Sequence, residues 1–269
     1  MLKWVFKGVS FPLAMCGASD IKWLLLLAVA TLSSGCETSD HRPSAGVCIS
    51  FDDRTIQEWY QMRDVLRENN AKATFFITQF DSLSNQELEM LKQLRDDGHE
   101  IGSHGAMHVL AEKYIQENSY TKYMQNEVHA NTQSMKKAGF DPVSFAYPYG
   151  SSYWFTDFII GQHYKIIRNV YPKPVEKYDL SDSYYYKWNN QKVIWAVGFD
   201  RISNLSESII DRLMEKAAND QSVLILYGHV PSVSEHNNSY DFDINKLKYI
   251  LSTAREKKLK FFRVQDLRQ

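Results

Sequence analysis

Short apolar runs alternate with stretches of helical period through most of the chain, and this alternation limits the folds open to it more than any other feature. Residues 47–51, 73–77, 100–102, 144–146, 166–170, 193–197, 223–227 and 260–264 read as strands. Between them, apolar side chains recur at the spacing of one helical face, as at Trp59, Met62, Val65 and Leu66 within 56–69. Ser84 and Glu87 form a capping-box pattern ahead of Leu88, Leu91 and Leu94, in a helix that should end near Gly98. Further helices are expected over 114–138, 154–164, 206–219 and 245–257. Strands that alternate with helices predict a parallel α/β fold. With about seven such repeats and no glycine-rich phosphate loop, a closed barrel is favoured over an open nucleotide-binding sheet. Residues 232–241 are polar, with adjacent asparagines, and read as an exposed loop.

A chain of 269 residues can bury a core of this kind without disulfide staples. Its net charge of -1 argues against a nucleic-acid partner, which would call for a basic excess. Aromatic residues reach 13%, which reads first as core packing and alternatively as the lining of a sugar-binding groove. Cys16, Cys36 and Cys48 are too few and too odd in number for a disulfide framework. Cys48 lies within an apolar run and reads as a small buried hydrophobe.

The N-terminal segment reads as an address. WLLLLAVATL, residues 23–32, follows Lys22; it is too short to span a bilayer and suits the apolar region of a signal peptide. Ser33, Ser34 and Gly35 then lead into Cys36, which resembles a bacterial lipoprotein processing site, although Leu32 stands one position further upstream than usual. The expected organisation is a signal peptide over 1–35, with Met15 a candidate start, a lipidated Cys36 and tether over 36–44, and a single folded domain over 45–269. The chain would then be exported and held at a bacterial membrane by lipid; ordinary cleavage nearby would instead release it as a secreted protein.

Barrel enzymes carry their chemistry at the C-terminal ends of the strands. The first strand ends in Asp52 and Asp53, adjacent carboxylates that are costly after an apolar run unless solvated, paired or bound to metal. Alone, such a pair also suits a turn or a helix cap. The third strand leads into His104 and His108, which can share a face if the segment turns helically. Two imidazoles and a carboxylate, with positions left open, have the form of a catalytic zinc site. Pro148 and Gly150 stiffen the turn Tyr147-Pro148-Tyr149-Gly150 after the next strand. A late apolar strand delivers His229, and a lone histidine in that position is more often structural than catalytic.

In this order, Asp-Asp, His-x-x-x-His, Tyr-Pro-Tyr-Gly and a strand ending in histidine resemble the polysaccharide deacetylase family, or NodB homology domain. Ala73-Thr74-Phe75-Phe76-Ile77 and the approach Asp97-Gly98-His99-Glu100-Ile101-Gly102-Ser103-His104 resemble it too, so the likeness covers roughly 47–262. It implies a distorted (β/α)7 barrel and metal-dependent removal of N- or O-linked acetyl groups from a glycan. It implies Asp53, His104 and His108 as ligands to a divalent metal, Asp52 as general base, His229 as general acid and the Tyr149 N–H as oxyanion donor. The ligand types suit Zn²⁺, and would also take Co²⁺, Ni²⁺ or Fe²⁺. The implied partners are an acetylated glycan and, through Cys36, a membrane.

Three positions depart from the family pattern. Ala146 stands where the third motif usually has an arginine that orients the base, and Arg54 is the expected electrostatic substitute. Gly105 stands where a serine or threonine usually follows the first histidine. The aspartate that usually tunes the acid histidine has its best counterpart in Asp200, next to Arg201. A non-catalytic glycan-binding lipoprotein and a small-molecule amidase on the same fold are the alternatives.

Overall fold

The computed structural model describes residues 44–170, 182–232 and 239–268. The expected signal peptide, the lipidation site Cys36 and the tether up to residue 43 lie outside the described residues. Within these bounds the strands are β1 (Gly46–Asp53), β2 (Ala73–Ile77), β3 (Glu100–Ser103), β4 (Ser144–Ala146), β5 (Ile166–Val170), β6 (Tyr185–Tyr186), β7 (Val193–Gly198), β8 (Val223–Gly228), β9 (Val230–Ser232), β10 (Asp241–Asp243) and β11 (Lys260–Phe262). Seven of them close on themselves. β1, β2, β3, β4, β5, β7 and β8 pair in that order, all parallel, and β8 returns to β1.

This is the expected (β/α)7 barrel, and its distortion is local. β3 and β4 share one paired position, Ser103 with Phe145. β11 pairs with Gly46, Val47 and Cys48 of β1, while β2 takes over from Ile49 to Asp53. The two-residue β6 lies antiparallel beside β8.

Alternation along β1 sets the layers. Val47, Ile49 and Phe51 belong to the apolar layer that includes Trp59, Leu66, Leu91 and Leu251 from the surrounding helices. Cys48, Ser50 and Asp52 alternate with them and face the barrel interior, where Cys48 packs with Phe76, Ala146 and Ile225. Cys48 is a fully buried free thiol, as its apolar setting predicts. Each large apolar side chain taken from water contributes roughly 1.5–3 kcal/mol. The outer layer is the larger of the two clusters, so most of that stabilisation lies outside the barrel. The interior is thereby left to hold polar groups, including Asp52, His104 and Arg168, all buried.

The capping box forms as expected. Ser84 Oγ accepts from the Glu87 N–H at 3.2 Å, the Ser84 N–H donates to the Glu87 carboxylate at 2.7 Å, and the helix runs Asn85–Asp96. The chain then reverses at Gly98, with φ +91°. Elsewhere the helices depart from simple periodicity. The stretch expected as one helix over 56–69 is two, Ile56–Gln61 and Arg63–Glu68. The long helix expected over 114–138 is broken. A helix Ala111–Glu117 ends at Asn118, Ser119 caps a new start by accepting from the Lys122 N–H, and Met124–His129 is a π-helical turn leading into Ala130–Lys137. A period of 3.6 does not reveal an inserted residue. The loop expected over 232–241 is ordered at both ends, where β9 pairs with β10 and Ser232 and Asp241 are buried; residues 233–238 lie outside the described ones.

Candidate active site

The strand ends bring the chemistry together. Asp52 and Asp53 end β1, His104 and His108 follow β3, Tyr149 lies in the turn after β4, and His229 follows β8. All six line one cavity of about 270 Å³, together with Tyr227 and Tyr240.

His108 Nε2 lies 3.0 Å and His104 Nε2 3.6 Å from Asp53 Oδ1, and ligating atoms of the three residues all fall within 4.8 Å of one another. His104 Nδ1 lies 2.9 Å from the Ala146 carbonyl, which can only accept, so Nδ1 carries the proton and Nε2 presents a lone pair. Asp53 Oδ1 is buried and receives no hydrogen bond. Electron pairs converging in this way repel unless a cation lies among them, so the donor set fits a divalent metal.

In the same cavity, His229 Nδ1 donates to Asp200 Oδ2 at 2.7 Å, and the His229 N–H donates to Asp200 Oδ1 at 3.0 Å. Trp59 Nε1 donates to the His229 carbonyl at 2.7 Å, which fixes the backbone that carries the ring. Burial works against the charged imidazole. The hydrogen bond to Asp200 and the charges of Asp200, Asp52 and Asp53 outweigh it and raise the His229 pKa to about 9. The ring is therefore an acid at neutral pH, with Nε2 left to donate.

The backbone is strained where the site is built. Asp53, His108 and Tyr149 have φ of 89°, 57° and 58°, in a region that costs a side-chain-bearing residue about 1–3 kcal/mol. After Tyr149 the chain must pass close to β5. A Cβ on Gly150 would lie 2.1 Å from Val170 Cγ2, so the turn needs glycine there. Pro148, buried, begins the turn, and the Tyr149 ring lies 4.6 Å from that of His108.

Residues 39–163 match the family model described as polysaccharide deacetylase. Over these residues, a little under half of its length, the chain is similar to the polysaccharide deacetylase family.

A peptidoglycan-N-acetylglucosamine deacetylase of Bacillus cereus is 32% identical over 105 residues, 39% of this chain and 46% of the relative, so the match spans less than half of that protein. Among solved structures, a family 4 carbohydrate esterase from Streptomyces lividans in complex with acetate is similar with a TM-score of 0.52 at 17% identity, over 81% of this chain and 91% of that one. A pseudoenzyme of the same esterase family from Bacillus anthracis has a TM-score of 0.57 at 14% identity, over 84% of this chain and 66% of that one. At these identities the structures establish the fold alone.

Measured against the polysaccharide deacetylase pattern, the missing motif arginine has a substitute other than the one expected. Arg54 does not face Asp52. Its guanidinium donates to Ser82 Oγ at 2.6 Å and lies 3.7 Å from Glu87. The cation beside Asp52 is Arg168, whose Nη2 reaches both carboxylate oxygens. Arg168 is the register partner of Ala146 across the β4–β5 pair, so the guanidinium comes from the same level of the barrel, one strand over. It is fully buried between the Phe76 and Tyr227 rings, 5.2 Å from each centroid. The sequence held a signal for it, because a charged residue inside the apolar strand IIRNV is costly unless paired. Asp200, chosen as the partner of the acid histidine, lies against His229. Arg201 begins a 3-10 turn and is exposed.

Proposed function

We propose that this chain is a metal-dependent hydrolase that removes N- or O-linked acetyl groups from a glycan of the cell envelope. The observation that carries this is that Asp52, paired with buried Arg168, and His229, paired with buried Asp200, line the same cavity as Asp53, His104 and His108. Asp53, His104 and His108 would hold a divalent cation, zinc by default, which when bound supplies Lewis-acid polarisation of the acetyl carbonyl and a lowered pKa for water.

The remaining work falls to the chain's own groups. Asp52, oriented by Arg168, takes the proton of the attacking water. The Tyr149 N–H donates to the carbonyl oxygen as negative charge develops on it. His229, charged at neutral pH, gives the Nε2 proton to the departing sugar nitrogen or oxygen, while Asp200 holds the ring and stabilises its charge. Acetate release from chitooligosaccharides, peptidoglycan and acetylxylan tests this and identifies the glycan. Silence on all three by a chain that still takes up zinc would favour the glycan-binding protein or the small-molecule amidase.

We also propose export and lipidation at Cys36, supported by the apolar run 23–32 and by Ser34-Gly35-Cys36. In a bacterial host, labelled palmitate should enter the full chain and be lost in Cys36→Ala. Equal labelling of the two would refute a lipid anchor at Cys36.

A further inference from the structure

Gly105 departs from a family pattern that usually has a hydroxyl side chain after the first histidine, and the structure has something else in that space. Glu127 enters it from the π-helical turn Met124–His129. Its Oε2 accepts from the Met107 N–H at 2.6 Å and its Oε1 from the Val109 N–H at 3.1 Å, the two amides on either side of His108. Its backbone carbonyl accepts from the Ala106 N–H at 2.9 Å. One residue thus binds the segment between the two histidines at three points. A Cβ on Gly105 would lie 2.2 Å from Glu127 Oε1, so the carboxylate and a side chain at 105 exclude each other. The Gly105 carbonyl is held from the other side by the Thr78 hydroxyl at 2.9 Å and the Gln79 N–H at 3.2 Å.

Glu127 is fully buried, and the side chains packed around its turn, Tyr123, Met124 and Val128, are apolar. A carboxylate in such a setting is costly unless its oxygens are satisfied. Here they are satisfied by backbone N–H groups of the segment that carries His108. That segment needs holding, because Gly105 has φ +79° and His108 φ +57°. The π-turn adds a residue to the helix and so re-aims the side chains within it, a device common at functional sites.

We propose that Glu127 is a positioning residue for the metal-ligand loop, one that sets His108 from outside the ligand set in the space Gly105 leaves. The inference rests on the metal reading of Asp53, His104 and His108. Groups behind the ligands typically change metal affinity by about 10–100-fold when removed. The full chain, stripped by chelator, should bind Zn²⁺ in competition with a chromophoric chelator, and Glu127→Ala should bind it about 10–100-fold more weakly. The ligand-field spectrum of the Co²⁺-loaded variant should change in band position or intensity, because His108 is less well placed. Glu127→Gln keeps the shape and one accepting oxygen, and should recover part of the affinity and the parent spectrum. If Glu127→Ala does not fold, Glu127→Gln alone decides, through an affinity below that of the parent. Unchanged zinc affinity and Co²⁺ spectrum in folded variant protein, even with a lower melting temperature, would overturn the proposal by reducing Glu127 to a packing role. A parent chain that takes up no zinc would overturn the metal reading, and this inference with it.

Discussion

Arg168→Met is expected to lower acetate release by about 10²–10⁴, the range of a lost general base. The reason is the burial of the pair it breaks. Asp52 and Arg168 are 2% and 0% exposed, and removing one partner of such a pair leaves an uncompensated charge at a typical cost of about 3–5 kcal/mol. Without the guanidinium that grips both of its oxygens, Asp52 is no longer held in place as the base. The loss should appear in kcat more than in KM, because Arg168 faces Asp52 rather than open cavity. Arg168→Lys should rescue poorly, since an ammonium offers a point charge where the guanidinium offers a planar fork. The double change Ala146→Arg with Arg168→Ala returns the guanidinium to the strand where the family usually carries it, one register partner away. It should recover activity relative to Arg168→Ala alone. Turnover of Arg168→Met within about threefold of the parent would remove Arg168 from the account.

His229→Ala should cost about 10²–10⁴ in kcat with acetyl substrates whose leaving group needs a proton. The pH profile gives the sharper test. The acid must be protonated to act, and the His229 pKa is raised from 6.5 to about 9. The rate should therefore hold through neutral pH and fall only as pH passes about 9. Asp200→Asn removes the hydrogen bond and the nearest charge that raise this pKa, while burial continues to lower it. Its alkaline limb should move down by more than one pH unit, so that the variant loses most at pH 8–9 and least in mild acid. An alkaline limb that stays in place in Asp200→Asn would assign it to another group.

The sequence was most legible where its pattern had a period. Short apolar runs for the strands and a period of 3.6 along the helices led to the barrel, and the acidic pair, the two histidines and His229 stood at strand ends where a barrel gathers them. The rest depended on contacts between residues distant in the chain. Arg168 lies 116 residues from Asp52 and comes from a strand outside the familiar motif, so a search near the motif led to Arg54, which is engaged with Ser82 and Glu87. The only local sign was a charge inside an apolar run. Glu127 was hidden for a different reason. It lies in a stretch that reads as one long amphipathic helix, and only the π-turn turns its carboxylate toward Gly105. Asp200 could be identified because an acidic residue directly after a buried strand occupies a site-forming position in a barrel.

Asp52, His229 and a metal at Asp53, His104 and His108 are proposed to act together on an acetyl group. The most direct test is acetate release from the three acetylated glycans by the chelator-stripped chain, measured before and after addition of Zn²⁺. The expected result is no release without metal, release restored by zinc from at least one glycan, and loss of that restored activity in an Asp52→Asn variant that still binds zinc. Release that survives complete metal removal, or that persists in Asp52→Asn, would contradict it.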